Sequence, residues 1–321
     1  MLKIGNLKLK SNLILAPMAG ITDLPFRMLC RRFGAELAFV EMINCRSISH
    51  KSRKTRHMLS TLAKDKPLGI QILGCEEKYI LKALEVLKTY KFDIMDFNAA
   101  CPAKKVVRRG EGAALLKEPK KLNKILKLVV KNSRIPVTVK IRLGWDKDSI
   151  NAREVALYAQ DAGVSGLFIH GRTKTQEYGG NVDYDIIARV KKALDIPVIA
   201  SGDVFTAQLA KKMFSETNCD GLVIARGSFG NPWIFKEIKE FLKTGEVLLK
   251  PARARVIKIM LEHLDASIAF YEERNGVILF RKFFAWYTKG IRNIRPLREK
   301  SSRAKTREEM AGLIELLQDN L

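Results

Sequence analysis

Gly166-Leu167-Phe168-Ile169-His170-Gly171-Arg172-Thr173 is a short apolar run that ends abruptly in a histidine, a glycine and two polar residues. A strand with one wet face alternates apolar and polar positions. A near-continuous aliphatic run is the pattern of a parallel strand covered on both faces. Seven other runs share this form: Leu13–Pro17, Leu37–Val40, Leu68–Leu73, Ile94–Asn98, Val137–Ile141, Val198–Ser201 and Gly221–Ala225. Segments of helical period lie between them. Glu76–Tyr90 places Ile80, Leu81, Leu84 and Leu87 on one face. Pro119–Lys131, Ala152–Ala162, Tyr184–Ala193 and Thr206–Phe214 behave alike. Thr22 or Asp23 can N-cap a helix with Pro25 in its first turn and Gly34 at its end. The helix after the second run, within Ser52–Ala63, has no sharp bounds.

Eight strands alternating with helices over about 240 residues match an α/β protein of the (β/α)8 TIM barrel type. A doubly wound open sheet is the alternative. The ends of the runs favour the barrel. Pro17-Met18, Glu41, Gln71, Asn98, Lys140, His170, Ser201-Gly202-Asp203 and Arg226-Gly227 all follow or close a run, and a barrel gathers such positions on one catalytic rim. Past the eighth unit, Leu242–Pro251 reads as a linker, and from Arg253 on every segment is helical in pattern. The expected organisation is a barrel over residues 1–241, a linker over 242–252 and a smaller all-helical C-terminal domain over 253–321.

The chain has 321 residues, 47% of them hydrophobic, enough for a large core. Lys and Arg number 58 against 34 Asp and Glu, a formal net charge of +24. Such a field favours a polyanion, of which nucleic acid is the commonest soluble one; a solvated lysine-rich surface is the alternative. Cys30, Cys45, Cys75, Cys101 and Cys219 are scattered without metal-type spacing, so no metal and a reducing, cytoplasmic setting are expected. Met1–Asn6 is strand-like rather than a signal segment, and no apolar run approaches the ~20 residues of a membrane span.

The chemistry sits at the run ends. Cys101, just past Ile94–Asn98, is a plausible acid, because a thiol with a pKa near 8.5 stays mostly protonated at neutral pH. A lone Cys is more often an inert small residue. Pro102, the rim position and the basic loop that follows weigh for the acid. Lys140 at the end of an apolar strand needs an anionic partner. His170 can hold a cofactor or substrate, or be a satisfied rim histidine. Gln71 offers a donor and an acceptor to a heterocycle edge. Gly202 and Gly227 stand on the two loops that commonly build a phosphate site in barrels, with Arg226 for charge.

The motifs APMAGITDLPFR (Ala16–Arg27), QILG (Gln71–Gly74), DFNAACPAKKV (Asp96–Val106), GAALL (Gly112–Leu116), KIRLGW (Lys140–Trp145), IHGRT (Ile169–Thr173) and ARGSFGNPW (Ala225–Trp233) run in order along the whole barrel. Together the sequence resembles the tRNA dihydrouridine synthases, especially their bacterial branch. The resemblance implies an FMN barrel. Pro17, Met18, Ala19, Gln71, Lys140 and His170 match positions around the flavin ring and ribityl chain. Ser201, Gly202, Asp203, Ala225 and Arg226 match the phosphate-side turns, with Ser201 where the family often has Asn. Cys101 matches the proton donor. The implied reaction is reduction of FMN by NADPH, hydride transfer from flavin N5 to uracil C6, and proton transfer from Cys101 to C5. Asn98, Lys140, Arg172 and Thr173 are the candidates for holding the uracil edge. The implied partner is tRNA, with a D-loop uridine as target, and the protein is expected to be a monomer.

Three basic clusters offer phosphate contacts. They are Arg46, Lys51, Arg53, Lys54 and Arg56; then Lys104, Lys105, Arg108 and Arg109; and the stretch from Arg281 to Arg307, including Arg292 and Arg295. Phe283, Phe284, Trp286 and Tyr287 within that last stretch read as core rather than base-stacking platforms. The competing readings are an FMN barrel acting on a small molecule, of the dihydroorotate dehydrogenase or ene-reductase kind, and a non-catalytic RNA-binding barrel.

Overall fold

A computed structural model describes residues 1–50 and 52–318; Lys51 of the first basic cluster lies outside the described residues. The chain opens with an antiparallel hairpin, β1 (Leu2–Ile4) and β2 (Leu7–Leu9). Nine further strands follow among the described residues: β3 (Leu13–Leu15), β4 (Leu37–Phe39), β5 (Ile43–Asn44), β6 (Leu68–Leu73), β7 (Ile94–Asn98), β8 (Val137–Arg142), β9 (Gly166–His170), β10 (Val198–Ser201) and β11 (Gly221–Ile224). Each pairs in parallel with its neighbour, and β11 pairs with β3, so the sheet closes into a ring. The second ring position is split: β4 and β5 both pair with β6. Between them stands Glu41, a buried carboxylate that accepts the Gly20 N–H. The (β/α)8 barrel expected from the sequence is the fold, and the open sheet is set aside.

The hairpin is not a ring strand. Its Leu2, Ile4 and Leu9 are buried against Ile14, Ile94, Phe168, Ile199 and Val223, residues of five different barrel strands. It plugs the end of the barrel opposite the rim with apolar side chains. Helices sheathe the outside. Asp23, not Thr22, caps the first, accepting the Phe26 N–H at 3.0 Å. The Ser52–Ala63 segment holds a short helix, Arg53–Met58, behind another at Cys45–Ser49.

The last barrel helix, Ile234–Thr244, runs past the expected boundary at residue 241 and ends at Gly245, whose φ of 78° suits a glycine. Phe241 extends the apolar face begun by Ile234 and Ile238, packing against the core, and so keeps the helix going. Among the described residues four helices follow: Arg253–Tyr271, Glu273–Tyr287, Arg295–Ser301 and Arg307–Glu315. They share the barrel's core. Phe26 on the first barrel helix lies 5.7 Å from the His263 ring and 5.2 Å from Phe283. Phe283, Phe284 and Tyr287 are buried, as their reading as core requires; Trp286 is only partly so. Among the described residues no helix is long and apolar enough to cross a membrane, and no cluster of His, Cys, Asp or Glu is built to hold a metal.

Candidate active site

The C-terminal ends of the strands surround a cavity of about 510 Å³. Pro17, Met18 and Ala19 line it from the turn after β3, Gln71 from β6, and Asn98 and Cys101 from β7. Lys140, His170, Ser201, Gly202, Asp203, Ala225 and Arg226 line it from β8 to β11 and the turns that follow. Residues scattered over more than two hundred positions thus meet on one wall because the ring brings every strand end to the same rim.

A chain of hydrogen bonds crosses the floor. Asp96, 1% exposed, accepts from Thr138 Oγ1 at 2.8 Å and from Gln71 Nε2 at 2.7 Å. With its amide N–H given to Asp96, Gln71 turns Oε1 to Asn98 Nδ2 at 2.8 Å. Asn98 Oδ1 then accepts the backbone N–H groups of Ala100 at 2.9 Å and Cys101 at 2.8 Å. A buried carboxylate therefore fixes the orientation of one amide, which fixes the next, which holds the cysteine's loop. Burial raises the Cys101 thiol's pKa; the Ala103 N–H and Arg142 pull it back only in part. The thiol keeps its proton at neutral pH, as an acid must.

Lys140 donates to Ser201 Oγ at 3.1 Å, and Ser201 Oγ donates to the Ile169 carbonyl at 3.1 Å. The anion that Lys140 needs is Asp96. Burial pulls the Lys140 pKa down and pushes the Asp96 pKa up, and the attraction between the two opposes both shifts. His170 is held neutral. Burial first, then the cations Lys140, Arg142, Arg172 and Arg226, push its pKa well below the usual value. Its Nε2 is buried without a hydrogen-bond partner. Such an atom costs about 1–3 kcal/mol unless a ligand meets it.

The turns after β10 and β11 let backbone approach backbone. A Cβ on Gly227 would lie 1.9 Å from the Val204 carbonyl oxygen, and one on Gly202 (φ +136°) 2.7 Å from Val182. Asp203 accepts from Arg226 Nη2 at 2.6 Å and from Arg172 Nη2. Burial raises the Asp203 pKa, but the two guanidiniums outweigh it and hold the carboxyl below its ordinary range. The Arg226 guanidinium carbon lies 4.7 Å from the Tyr178 ring centroid and 5.4 Å from that of Phe205.

The structure sets Arg172 and Thr173 apart from the other candidates. Neither is on the cavity wall. Arg172, 1% exposed, donates to Gly179 O at 2.8 Å and Gly180 O at 2.5 Å besides Asp203. Thr173 donates its N–H to Gln176 Oε1 at 2.8 Å, and its carbonyl accepts from Arg142 at 2.9 Å. A polar residue near a strand end need not point into the mouth; here the chain bends at Gly171, and the Arg172 side chain and the Thr173 backbone brace the loop behind it.

Other wall residues escaped the sequence reading: Met42, Arg142, Tyr178, Phe205 and Phe229. Arg142 had a signal, since it lies two positions from Lys140 on the same strand face. It donates to Ala100 O at 2.8 Å, bracing the loop before Cys101, and burial pulls its pKa down to about 10. Tyr178 and Phe205 had none, because only the fold of their loops brings them in.

The basic clusters differ. Lys104, Lys105, Arg108 and Arg109 are exposed beside Cys101. Arg46 is paired to Glu76 at 2.7 Å. In the C-terminal stretch Arg281 and Arg298 donate to backbone carbonyls, and Arg307 pairs with Asp265. Arg292 is exposed, and Arg295 is exposed beside Glu299 at 3.0 Å; neither is part of the cavity wall.

A likeness to Morphinone reductase (TM-score 0.56, 12% identity, covering 79% of this chain and 91% of that one) concerns the fold alone. A relative from Xanthomonas axonopodis pv. citri (strain 306), named tRNA-dihydrouridine synthase B, is 40% identical over 97% of this chain and 94% of its own length. Another of the same name, from Pasteurella multocida (strain Pm70), is 40% identical over 90% of this chain and 87% of its own. The family described as Dihydrouridine synthase (Dus) matches residues 14–321, nearly the whole chain, and the protein therefore belongs to that family.

Proposed function

We propose that this protein reduces specific uridines of tRNA to 5,6-dihydrouridine, with FMN in the rim cavity and NADPH as reductant. The observation that carries the reading is the wall itself. It joins a protonated Cys101, oriented through Asn98, to an unpartnered buried His170 Nε2 and two glycine turns. Those features fit a phosphate-bearing flavin. His170 Nε2 has a bond left to make, Gln71 and Lys140 stand on the floor, and Pro17, Met18 and Ala19 give a largely apolar wall for a flat ring. Ser201, Gly202, Asp203, Ala225 and Arg226 would hold the phosphate side, where close backbone approach is possible. Ser201 has already given its hydroxyl to Ile169 and Lys140, so its side chain serves the lysine.

When bound, FMN supplies the hydride for C6 of the uracil ring. The chain does the rest. Cys101 carries the proton for C5. Asn98 has one amide N–H on Gln71 and the other only on the Met42 sulfur, at 3.0 Å, a weak contact it can exchange for a uracil carbonyl. Lys140 has two N–H groups beyond the one on Ser201. The target uridine, in the D-loop on this reading, is drawn out of its loop into the cavity. Lys104, Lys105, Arg108 and Arg109 at the mouth, with Arg292 and Arg295 on the helical segment, meet the phosphates of the tRNA, and the protein acts as a monomer. A small-molecule substrate would need neither these cations nor a net charge of +24.

The purified protein is expected to be yellow and to release FMN on denaturation. With NADPH it should convert uridine in a tRNA transcript to dihydrouridine, read by mass spectrometry as a gain of two hydrogens. A colourless protein that cannot be reconstituted with FMN would sink the reading. Gly227→Ala forces a Cβ onto the Val204 carbonyl and should abolish flavin retention, whereas Gly312→Ala, exposed on the last helix with open space where a Cβ would stand, should not.

A further inference from the structure

We propose that Lys282 and Trp286, on the helix Glu273–Tyr287 of the C-terminal segment, are positioning residues that hold two walls of the flavin cavity in place. This rests on the flavin reading above. The two side chains are one helical turn apart and so lie on one face. That face lies over the seam of the barrel, where β3 and β11 meet.

At the β3 side the wall is the turn carrying Pro17, Met18 and Ala19. It is closed internally by Met18 O, which accepts from Ile21 N at 3.0 Å and Thr22 N at 3.1 Å. Its tip is Gly20, at φ +70°, with nothing within 4 Å of where a Cβ would stand. The tip is tethered from outside through both of its peptide groups. Glu41, in the gap of the split strand, accepts the Gly20 N–H, and Lys282 Nζ donates to the Gly20 carbonyl. Lys282 also faces two buried acids, Asp23 at 5% and Glu41 at 7% exposure, and Tyr271 bonds to Asp23. Without Lys282 the tip loses one tether and two buried carboxylates lose their cation.

At the β11 side the wall includes Phe229. The Trp286 ring stacks on it, centroids 4.0 Å apart and planes 15° from parallel. The next residue, Gly230, lies so close to the helix that a Cβ would stand 2.4 Å from the Trp286 carbonyl oxygen. The helix therefore touches the turns after both the first and the last strand of the ring, so two walls of the cavity are braced by a segment outside the barrel.

The test uses full-length protein carrying Lys282→Gln, Lys282→Arg or Trp286→Ala. The Kd for FMN, the flavin absorption band, the melting temperature without flavin and the Kd for tRNA are measured in each. Lys282→Gln and Trp286→Ala should each weaken FMN binding about tenfold or more and shift the flavin band. The melting temperature should fall, since a buried cation or a stacked ring is lost, but the variants should stay folded with tRNA affinity near wild type, and Lys282→Arg should restore both the flavin band and the melting temperature. Unchanged FMN affinity in folded variants overturns the proposal. So does a parallel loss of melting temperature, tRNA binding and flavin that arginine does not rescue, which would mark a purely structural role. Should Lys282→Gln not fold, Gly20→Ala strains the same tip from the barrel side, and unchanged FMN affinity there overturns it equally. A wild-type chain that binds no FMN fails the functional reading itself, a result distinct from any of these.

Discussion

Cys101→Ala is expected to lower uridine reduction by about 10²–10⁴-fold, the usual loss on removing a positioned acid. FMN and tRNA binding should be unchanged. The loop survives the substitution because Asn98 and Arg142 hold it through backbone atoms, the N–H of Cys101 and the carbonyl of Ala100. The thiol's raised pKa sets the wild-type pH profile. The acid form is the active one, so the rate should be flat through neutrality and fall as pH rises through that pKa, above the ordinary thiol range. Single-turnover reaction of pre-reduced enzyme with tRNA isolates this step from flavin reduction by NADPH. A variant that turns over at the wild-type rate would show that another group gives the proton.

Reversing Arg292 and Arg295 to Glu should weaken binding to all tRNAs alike and flatten the slope of log K against log salt by about 1.4–1.8, two phosphates' worth of released counterions. Phosphate contacts carry no sequence information directly, so target preference should persist. The two arginines suit the test because they are exposed and off the cavity wall, whereas Arg281, Arg298 and Arg307 are committed to partners inside the protein. Loss of the Arg295–Glu299 pair costs little at such exposure. Truncation before the helical segment is the wrong test, since it would also remove the Lys282 and Trp286 contacts to the Gly20 turn and to Phe229. Affinity over a salt series, with flavin content measured alongside, decides. If the reversal leaves both affinity and slope at wild-type values, the phosphate contacts belong to the barrel, with Lys104–Arg109 the next cluster to reverse.

The barrel was legible because each strand is covered on both faces and so reads as an unbroken aliphatic run. Leu68–Leu73, Ile94–Asn98, Gly166–His170 and Val198–Ser201 have the bounds read from sequence. The second ring strand was only half visible, since Glu41 interrupts it with a charge whose purpose is tertiary. Gln71, Lys140 and His170 stood out as polar residues closing apolar runs. Asp96 did not, although it shares the inward face with Asn98 two positions on. The direction of Arg172, away from the cavity wall, was not legible, because residue type at a rim does not give direction. The contribution of Lys282 and Trp286 was invisible. Trp286 read as core and Lys282 as one cation of a basic stretch, and neither reading points toward the cavity.

The hairpin that plugs the barrel sets an order of events during synthesis. Leu2, Ile4 and Leu9 are made first, yet their packing partners include Ile199 and Val223 near the end of the ring. At a translation rate of about 5–20 residues per second, the growing chain carries these apolar side chains uncovered for roughly 10–40 s. Ring closure waits equally long, since Asn12 bonds to Asp220 and Leu222 across the seam. The nascent chain thus holds these apolar side chains without their partners until its eighth strand has left the ribosome. An N-terminal fragment ending short of that strand should aggregate rather than fold.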